Sequence, residues 1–295
     1  MLTLSNSVME LQLSPSIGGA ISSFTWTGDG RRVPILRESH SPLRNVLDAA
    51  SFPLVPFVNR IRGGCFAFRG RQVSLAPNMA GDPSPLHGQG WLGPWSAESA
   101  GATQAVLRFR HDPGEWPWAY EALQEFQFED RGLGMRLACR NLSDEPMPCG
   151  LGFHPYFPCG PESRIRTEVQ EVWTVDEKVL PVERLPATGR YSLSDDAVCG
   201  RDLDNGYGGW SGRALLTDPH WPFDLELSSP QAHFFQLYSP SNGGIFVAEP
   251  VTHANAALNA PEEEWESLGI RVLEPGEQMA LDARLDVRPR TSRVG

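Results

Sequence analysis

The chain has 295 residues, 25 of them basic and 36 acidic, for a net charge of −11. That balance disfavours nucleic acid and anionic membrane surfaces as partners, because both reward a basic face. A hydrophobic content of 40% and nine tryptophans suffice for a packed core, while no apolar run reaches the ~18–20 residues of a membrane-spanning helix. Residues 1–10 lack the basic and long apolar regions of a secretory leader, so a cytoplasmic protein is expected. Lys178 is the only lysine and has no supporting motif for Schiff-base chemistry. Cys65, Cys139, Cys149, Cys159 and Cys199 form no C-x-x-C pair and read as free thiols rather than a disulfide framework or zinc site.

Twenty-nine glycines and 26 prolines separate short apolar stretches along the whole chain. Residues 42–50 read as a short helix. Tyr120, Ala122, Gln124, Phe126 and Phe128 then alternate with Glu121, Leu123, Glu125, Gln127 and Glu129. After Asp130-Arg131-Gly132 the alternation resumes through Leu133, Met135, Leu137 and Cys139, which predicts a hairpin. Trp221, Phe223, Leu225 and Leu227 mark another half-buried strand. Glu274-Pro275-Gly276-Glu277 is a turn before a strand with Met279, Leu281, Ala283, Leu285 and Val287 on one face. With no repeat, low-complexity tract or linker, one all-β domain over 1–295 is expected, an antiparallel sandwich or barrel.

The candidate functional residues sit in Gly/Pro-punctuated frames. Asn59-Arg60 follows an apolar run and precedes Gly63-Gly64. The fixed fork of Arg60 could orient a hydroxylated ligand, although a surface ion pair explains it equally. Arg60, Arg62, Arg69 and Arg71 are expected to alternate across a hairpin surface. His87 lies in a glycine-rich loop with Trp91 and Trp95; aromatic faces beside polar groups suit sugars, and a plain surface turn is the rival.

His154 in Gly152-Phe153-His154-Pro155-Tyr156 is pushed toward extended backbone by the following proline, and shares a face with Tyr156. A packing histidine is the alternative. Asp204 precedes Asn205-Gly206, where turn chemistry alone would account for it. Glu249 ends the apolar run 244–248 before Pro250; a carboxylate there is expected to be partly buried and to need partners, as a catalytic base or in a structural salt bridge. His233 and His253 read as supporting or core residues. No G-x-S-x-G elbow, P-loop, dinucleotide fingerprint or metal spacing is present, so neither a metal nor a cofactor is expected.

Pro56-Phe57-Val58-Asn59-Arg60-Ile61, Leu86-His87-Gly88 and Gly152-Phe153-His154-Pro155-Tyr156-Phe157 follow one another in order. Glu249-Pro250, Asn255-Ala256, Leu258-Asn259 and Leu273-Glu274-Pro275-Gly276-Glu277 come after them. This succession resembles the aldose 1-epimerase (galactose mutarotase) family from about residue 17 to 287, with Gly88-Gln89-Gly90 departing from the Gly-Gly of better-known members. The resemblance implies a large antiparallel β-sandwich of the galactose mutarotase type, cofactor-free, monomeric or homodimeric, with a sugar in a cleft on one sheet. It further implies Glu249 as the base at the C1 hydroxyl, His154 as the acid at the ring oxygen and His87 as its helper. Arg60, Asn59, Asp204, Trp91 and Tyr156 would bind the sugar.

An ionised Glu249 near His154 is expected to keep the imidazole protonated and itself charged. Three competing functions remain at this point. They are a non-catalytic carbohydrate-binding or regulatory protein on the same fold, a sugar-phosphate mutarotase using the arginines, and a glycoside hydrolase. The last would want two catalytic carboxylates rather than a His/Glu pair.

Overall fold

A computed structural model of the chain describes residues 1–39 and 42–290. Every strand pairing in it is antiparallel apart from one isolated parallel bridge between Val55 and Gly88, and helical structure among the described residues is confined to single 3₁₀ turns. No helix is long and apolar enough to cross a membrane. The predicted helix at 42–50 shrinks to one such turn, Val46–Asp48, capped by the Asn45 side chain accepting from the Leu47 N–H. Three residues cannot repay helix nucleation, so the turn survives through its cap and its tertiary contacts.

Two large sheets dominate. The nine-stranded sheet runs Ser194–Ala197, Arg164–Thr167, Arg213–Thr217, Phe223–Ser228, Gln278–Pro289, Gly132–Asn141, Tyr120–Glu129, Gln104–His111, Ser96–Ala100. It contains the predicted hairpin, with Tyr120 opposite Asn141 and Glu129 opposite Gly132. The alternation has a plain physical meaning here: Tyr120, Ala122, Gln124, Phe126 and Phe128 are buried while Glu125, Gln127 and Glu129 face water. Met279, Leu281, Ala283, Leu285 and Val287 are buried in the same way.

The second sheet has eight strands, in the order Pro181–Pro186, Glu171–Val175, Leu203–Gly208, Phe234–Ser239, Ile245–Val251, Gly152–Phe153, Pro53–Leu54, with Tyr156–Pro158 also pairing to Ile245–Val251. Phe235, Leu237, Phe246 and Ala248 from this sheet and Phe126, Leu281 and Leu285 from the other join one continuous hydrophobic core. A four-stranded N-terminal sheet, Leu2–Ser5, Met9–Ser14, Ala20–Trp26 and Val33–Pro34, extends that core.

The cysteine expectation is corrected in part. Cys65, Cys139 and Cys149 are free, but Cys159 and Cys199 form a disulfide with their Cα atoms 5.7 Å apart. Arg164–Thr167 pairs with Ser194–Ala197, just beyond which lie the two cysteines, 40 residues apart in sequence. Cysteine spacing does not reveal a contact made by strand pairing.

Candidate active site

Strand register assembles the site. Tyr156 stands opposite Val247, Val247 opposite Tyr238, and Tyr238 opposite Asp204. In the next row Glu249 stands opposite Gln236, and Gln236 opposite Gly206. Because directly opposed residues share a face, these two rows carry their polar side chains on one side of the sheet, while Phe246, Ala248, Phe235 and Leu237 point into the core. Asp204 therefore belongs to a strand, Leu203–Gly208, and not to a turn. The Asn-Gly that suggested a turn is overridden by pairing on both sides.

The loops supply the rest. Asn59 and His87 both adopt left-handed backbone, with φ of 54° and 59°, a conformation costly for a residue with a Cβ. Each stabilises the other: the His87 N–H donates to the Asn59 carbonyl at 3.0 Å, and the Asn59 N–H donates to His87 Nδ1 at 3.1 Å. Gly88, at φ 71°, continues the fold-back so close to Val55 that a Cβ would lie 2.1 Å from the Val55 oxygen. The bond to Nδ1 assigns the proton of the neutral His87 ring to Nε2. Behind this loop His253 Nε2 accepts from the Val58 N–H at 3.0 Å, a supporting role as expected, whereas His233 is exposed.

These elements enclose a cleft of about 270 Å³ lined by Asn59, Arg60, His87, Trp91, His154, Tyr156, Asp204 and Glu249, all eight of the sequence-derived candidates. Its floor is deeply buried, with Glu249, His87 and His154 at 2%, 7% and 9% exposure. His154 Nε2 lies 3.5 Å from Glu249 Oε1, and the His154 ring is 5.4 Å from that of His87 at 84°. His154 Nδ1 and Glu249 Oε2 have no protein partner.

Arg60 does not sit on a hairpin surface with Arg69 and Arg71, which flank the exposed turn of the Cys65–Phe68/Arg71–Ser74 hairpin. Its Nε bonds Asp82 at 2.9 Å, and no protein partner among the described residues engages its terminal nitrogens. Trp91 forms a wall; its indole N–H is spent on the carbonyls of Leu86 and Gly88. Trp95 packs instead against Phe109.

Burial governs the protons of this floor. Loss of water drives His154 down to about 3, with the positive charges of Arg37 and Arg60 adding to the fall. Burial, reinforced by the Asp204 charge, lifts Glu249 well above the usual carboxylate range. Burial also holds His87 well below the ordinary imidazole value, with His154 and Arg60 contributing. Burial therefore works against the charged His154–Glu249 pair expected from the sequence. The cost of removing both charges from water opposes their attraction at 3.5 Å. Burial thus lowers the proton affinity of His154 and raises that of Glu249.

Several lining residues carried no sequence motif: Leu47, Phe52, Met79 and Tyr238. Gln236, whose Nε2 donates to Asp204 Oδ1 at 2.7 Å, was also missed. Polar side chains at alternate positions of the apolar strand Phe234–Ser239 were the available signal for Gln236 and Tyr238.

A family model described as aldose 1-epimerase matches residues 1–285. The chain belongs to the aldose 1-epimerase family. It is 32% identical over 297 residues to the uncharacterised protein YphB of Escherichia coli K12, covering 97% of this chain and 98% of that one. It superimposes with a TM-score of 0.89 on a crystal structure of an Escherichia coli K12 protein provisionally named an aldose 1-epimerase, at 30% identity and covering 98% and 99% of the two chains. Against a galactose 1-epimerase of Lactobacillus acidophilus the TM-score is 0.77 at 16% identity, covering 98% and 94%. That last likeness concerns the fold alone.

Proposed function

We propose that this protein is a cofactor-independent aldose 1-epimerase that interconverts the α and β anomers of a free aldose. One observation carries the reading: an imidazole and a carboxylate 3.5 Å apart at the floor of a small polar and aromatic cleft, in a chain of this family. The cleft volume lies below the ~300–1,000 Å³ usual for drug-sized ligands, which suits one sugar ring. The continuous core joining the sheets supports reading 1–295 as one domain, a span that includes residues 40, 41 and 291–295 outside the described ones.

Opening a cyclic hemiacetal needs one proton taken from the C1 hydroxyl and one given to the ring oxygen. In the reading we favour, Glu249 takes the first and His154 gives the second, while the C1–O5 bond breaks to leave the open aldehyde. Rotation about C1–C2 and the reverse transfers reclose the ring on its other face. The carboxyl–imidazole and carboxylate–imidazolium states contain the same number of protons, so the pair already holds what the reaction uses. A C1 hydroxyl donating to Glu249 stabilises the carboxylate, and its proton then resides on His154 facing the ring oxygen. His87 Nε2–H, neutral across physiological pH, adds a hydrogen bond. Arg60 and Asp204 bind other hydroxyls, and Tyr156 and Trp91 line the cleft beside the sugar. The Asp82 partner of Arg60 and the nearby Asp204 and Glu249 weigh against a phosphorylated substrate.

The test is to dissolve single anomers of several aldoses and follow equilibration by polarimetry or NMR. Wild type is expected to accelerate at least one, and Glu249→Gln to lose nearly all of it. Sugar binding without acceleration would make the protein a carbohydrate-binding member of the family instead.

A further inference from the structure

Five planar groups stand in a column along the cleft wall. The Arg37 guanidinium carbon lies 3.5 Å from the Tyr156 ring centroid. The Tyr156 and His154 rings are 4.7 Å apart, His154 stacks on Phe52 at 4.5 Å and 21°, and Phe52 stacks on Trp91 at 5.4 Å and 27°. His87 meets the column edge-on, at 84° to His154 and 88° to Trp91. The proposed acid is thus held between two aromatic faces, and one of those faces is held by a cation outside the cleft lining.

Arg37 is tied down by everything except a carboxylate. Its Nε donates to the Ala49 carbonyl at 2.7 Å and a terminal nitrogen donates to the Leu47 carbonyl. Its backbone N–H donates to the Tyr156 carbonyl at 2.8 Å, and the Tyr156 N–H donates to Ala50 at 2.9 Å. No acidic side chain among the described residues lies within salt-bridge distance of it. A guanidinium suits this place because its planar fork bonds two carbonyls while its face lies on an aromatic ring.

The geometry points to Arg37 as a positioning residue of this site: it holds Tyr156 against His154 at a tilt of 37° and fixes the turn that carries Leu47 of the cleft lining. The proposal rests on the mutarotase reading for its catalytic consequence, but not for its structural one. Without the guanidinium, Tyr156 loses the partner on one face and His154 loses its lateral support. The charge acts as well. The groups facing His154 are Glu249, His87 and Tyr156, with the Arg37 and Arg60 charges close enough to repel a proton from the ring.

The experiment compares Arg37→Met and Arg37→Lys with wild type in two measurements, each on protein whose folding is checked by melting temperature. In steady-state mutarotation, R37M is expected to lower kcat/KM by about tenfold and to move the acidic limb of its pH profile to higher pH, since loss of a nearby positive charge lets His154 hold its proton. R37K, which keeps the charge without the planar fork, restores the limb but not the full rate. Unchanged kcat/KM and an unchanged limb in folded R37M would overturn the proposal, as would a uniform fall in rate with no movement of the limb. The second measurement needs no turnover: the histidine ring NMR signals at constant pH, with His154 assigned through H154Q. Displacement of the His154 signals in R37M supports the clamp even if wild type proves inactive on every sugar, and superimposable signals refute it. If R37M does not fold, Arg37→Gln carries both measurements.

Discussion

The two large sheets treat charge in opposite ways. On the nine-stranded sheet, charged residues occupy the water side of an alternating strand and pair there, as Arg136 does with Asp282 at 2.8 Å, both about 40% exposed. On the eight-stranded sheet, Asp204, Gln236 and Glu249 occupy equivalent alternate positions, yet the Asn59–Arg60 and His87 loops stand over this face, leaving Gln236 and Glu249 buried and Asp204 half-buried. The same strand periodicity yields solubility on one sheet and displaced proton affinities on the other. Cover decides which.

Removing the buried carboxyl itself should have the largest effect. Glu249→Gln is expected to cost about 10²–10⁴-fold in mutarotation, the usual contribution of one positioned acid or base. It should also flatten the fall of stability with rising pH. Glu249 is raised in the folded protein by burial and then by Asp204, so the native state holds that proton when the unfolded chain has lost it. Between the unfolded carboxyl value and the raised folded one, stability therefore declines as pH climbs. Melting temperatures from pH 5 to 9 would show this slope in wild type and its loss in the variant.

The Cys159–Cys199 bond follows Tyr156–Pro158 of one sheet and Ser194–Ala197 of the other, and so joins the two. Closing a loop of 40 residues corresponds to roughly 4 kcal/mol by chain entropy. The Cys159→Ser/Cys199→Ser double variant should lose between about 2 and 4 kcal/mol in non-reducing urea titrations, and reductant should bring wild type to the same midpoint.

Asp204 tests whether buried charges on one sheet sense one another. Asp204→Asn removes a negative charge that raises Glu249. The pH limb belonging to Glu249 should move to lower pH, with a loss of about tenfold in kcat/KM for the missing hydroxyl contact. At the other extreme, Arg136→Ala breaks an exposed pair and should change stability by no more than ~0.5–1 kcal/mol, with mutarotation unchanged. A large effect there would erase the contrast between the sheets.

Much of this architecture is legible locally. The hairpin at 120–141 and the strand at 278–289 announce themselves because a half-buried strand must alternate, and its turn residues mark where it reverses. Asn59, Arg60, His87, His154, Tyr156 and Glu249 were legible as candidates because they fall in an ordered set of motifs. Phe52 and Arg37 were not, because each acts only through rings that chain topology brings beside it. The disulfide was hidden for the same reason, and Asp204 was obscured by a turn-like Asn-Gly that strand pairing overrides.

By itself, then, the sequence determined the all-β character, the inward faces of the principal strands and the residue types available for proton transfer, since these follow from period-two patterning and side-chain chemistry. Only the tertiary structure decided that His154 and Glu249 lie 3.5 Å apart and that burial lowers the proton affinity of one and raises that of the other. Proton affinity is a sum over burial and neighbouring charges, and those neighbours come from segments as distant as residues 37, 60, 204 and 249.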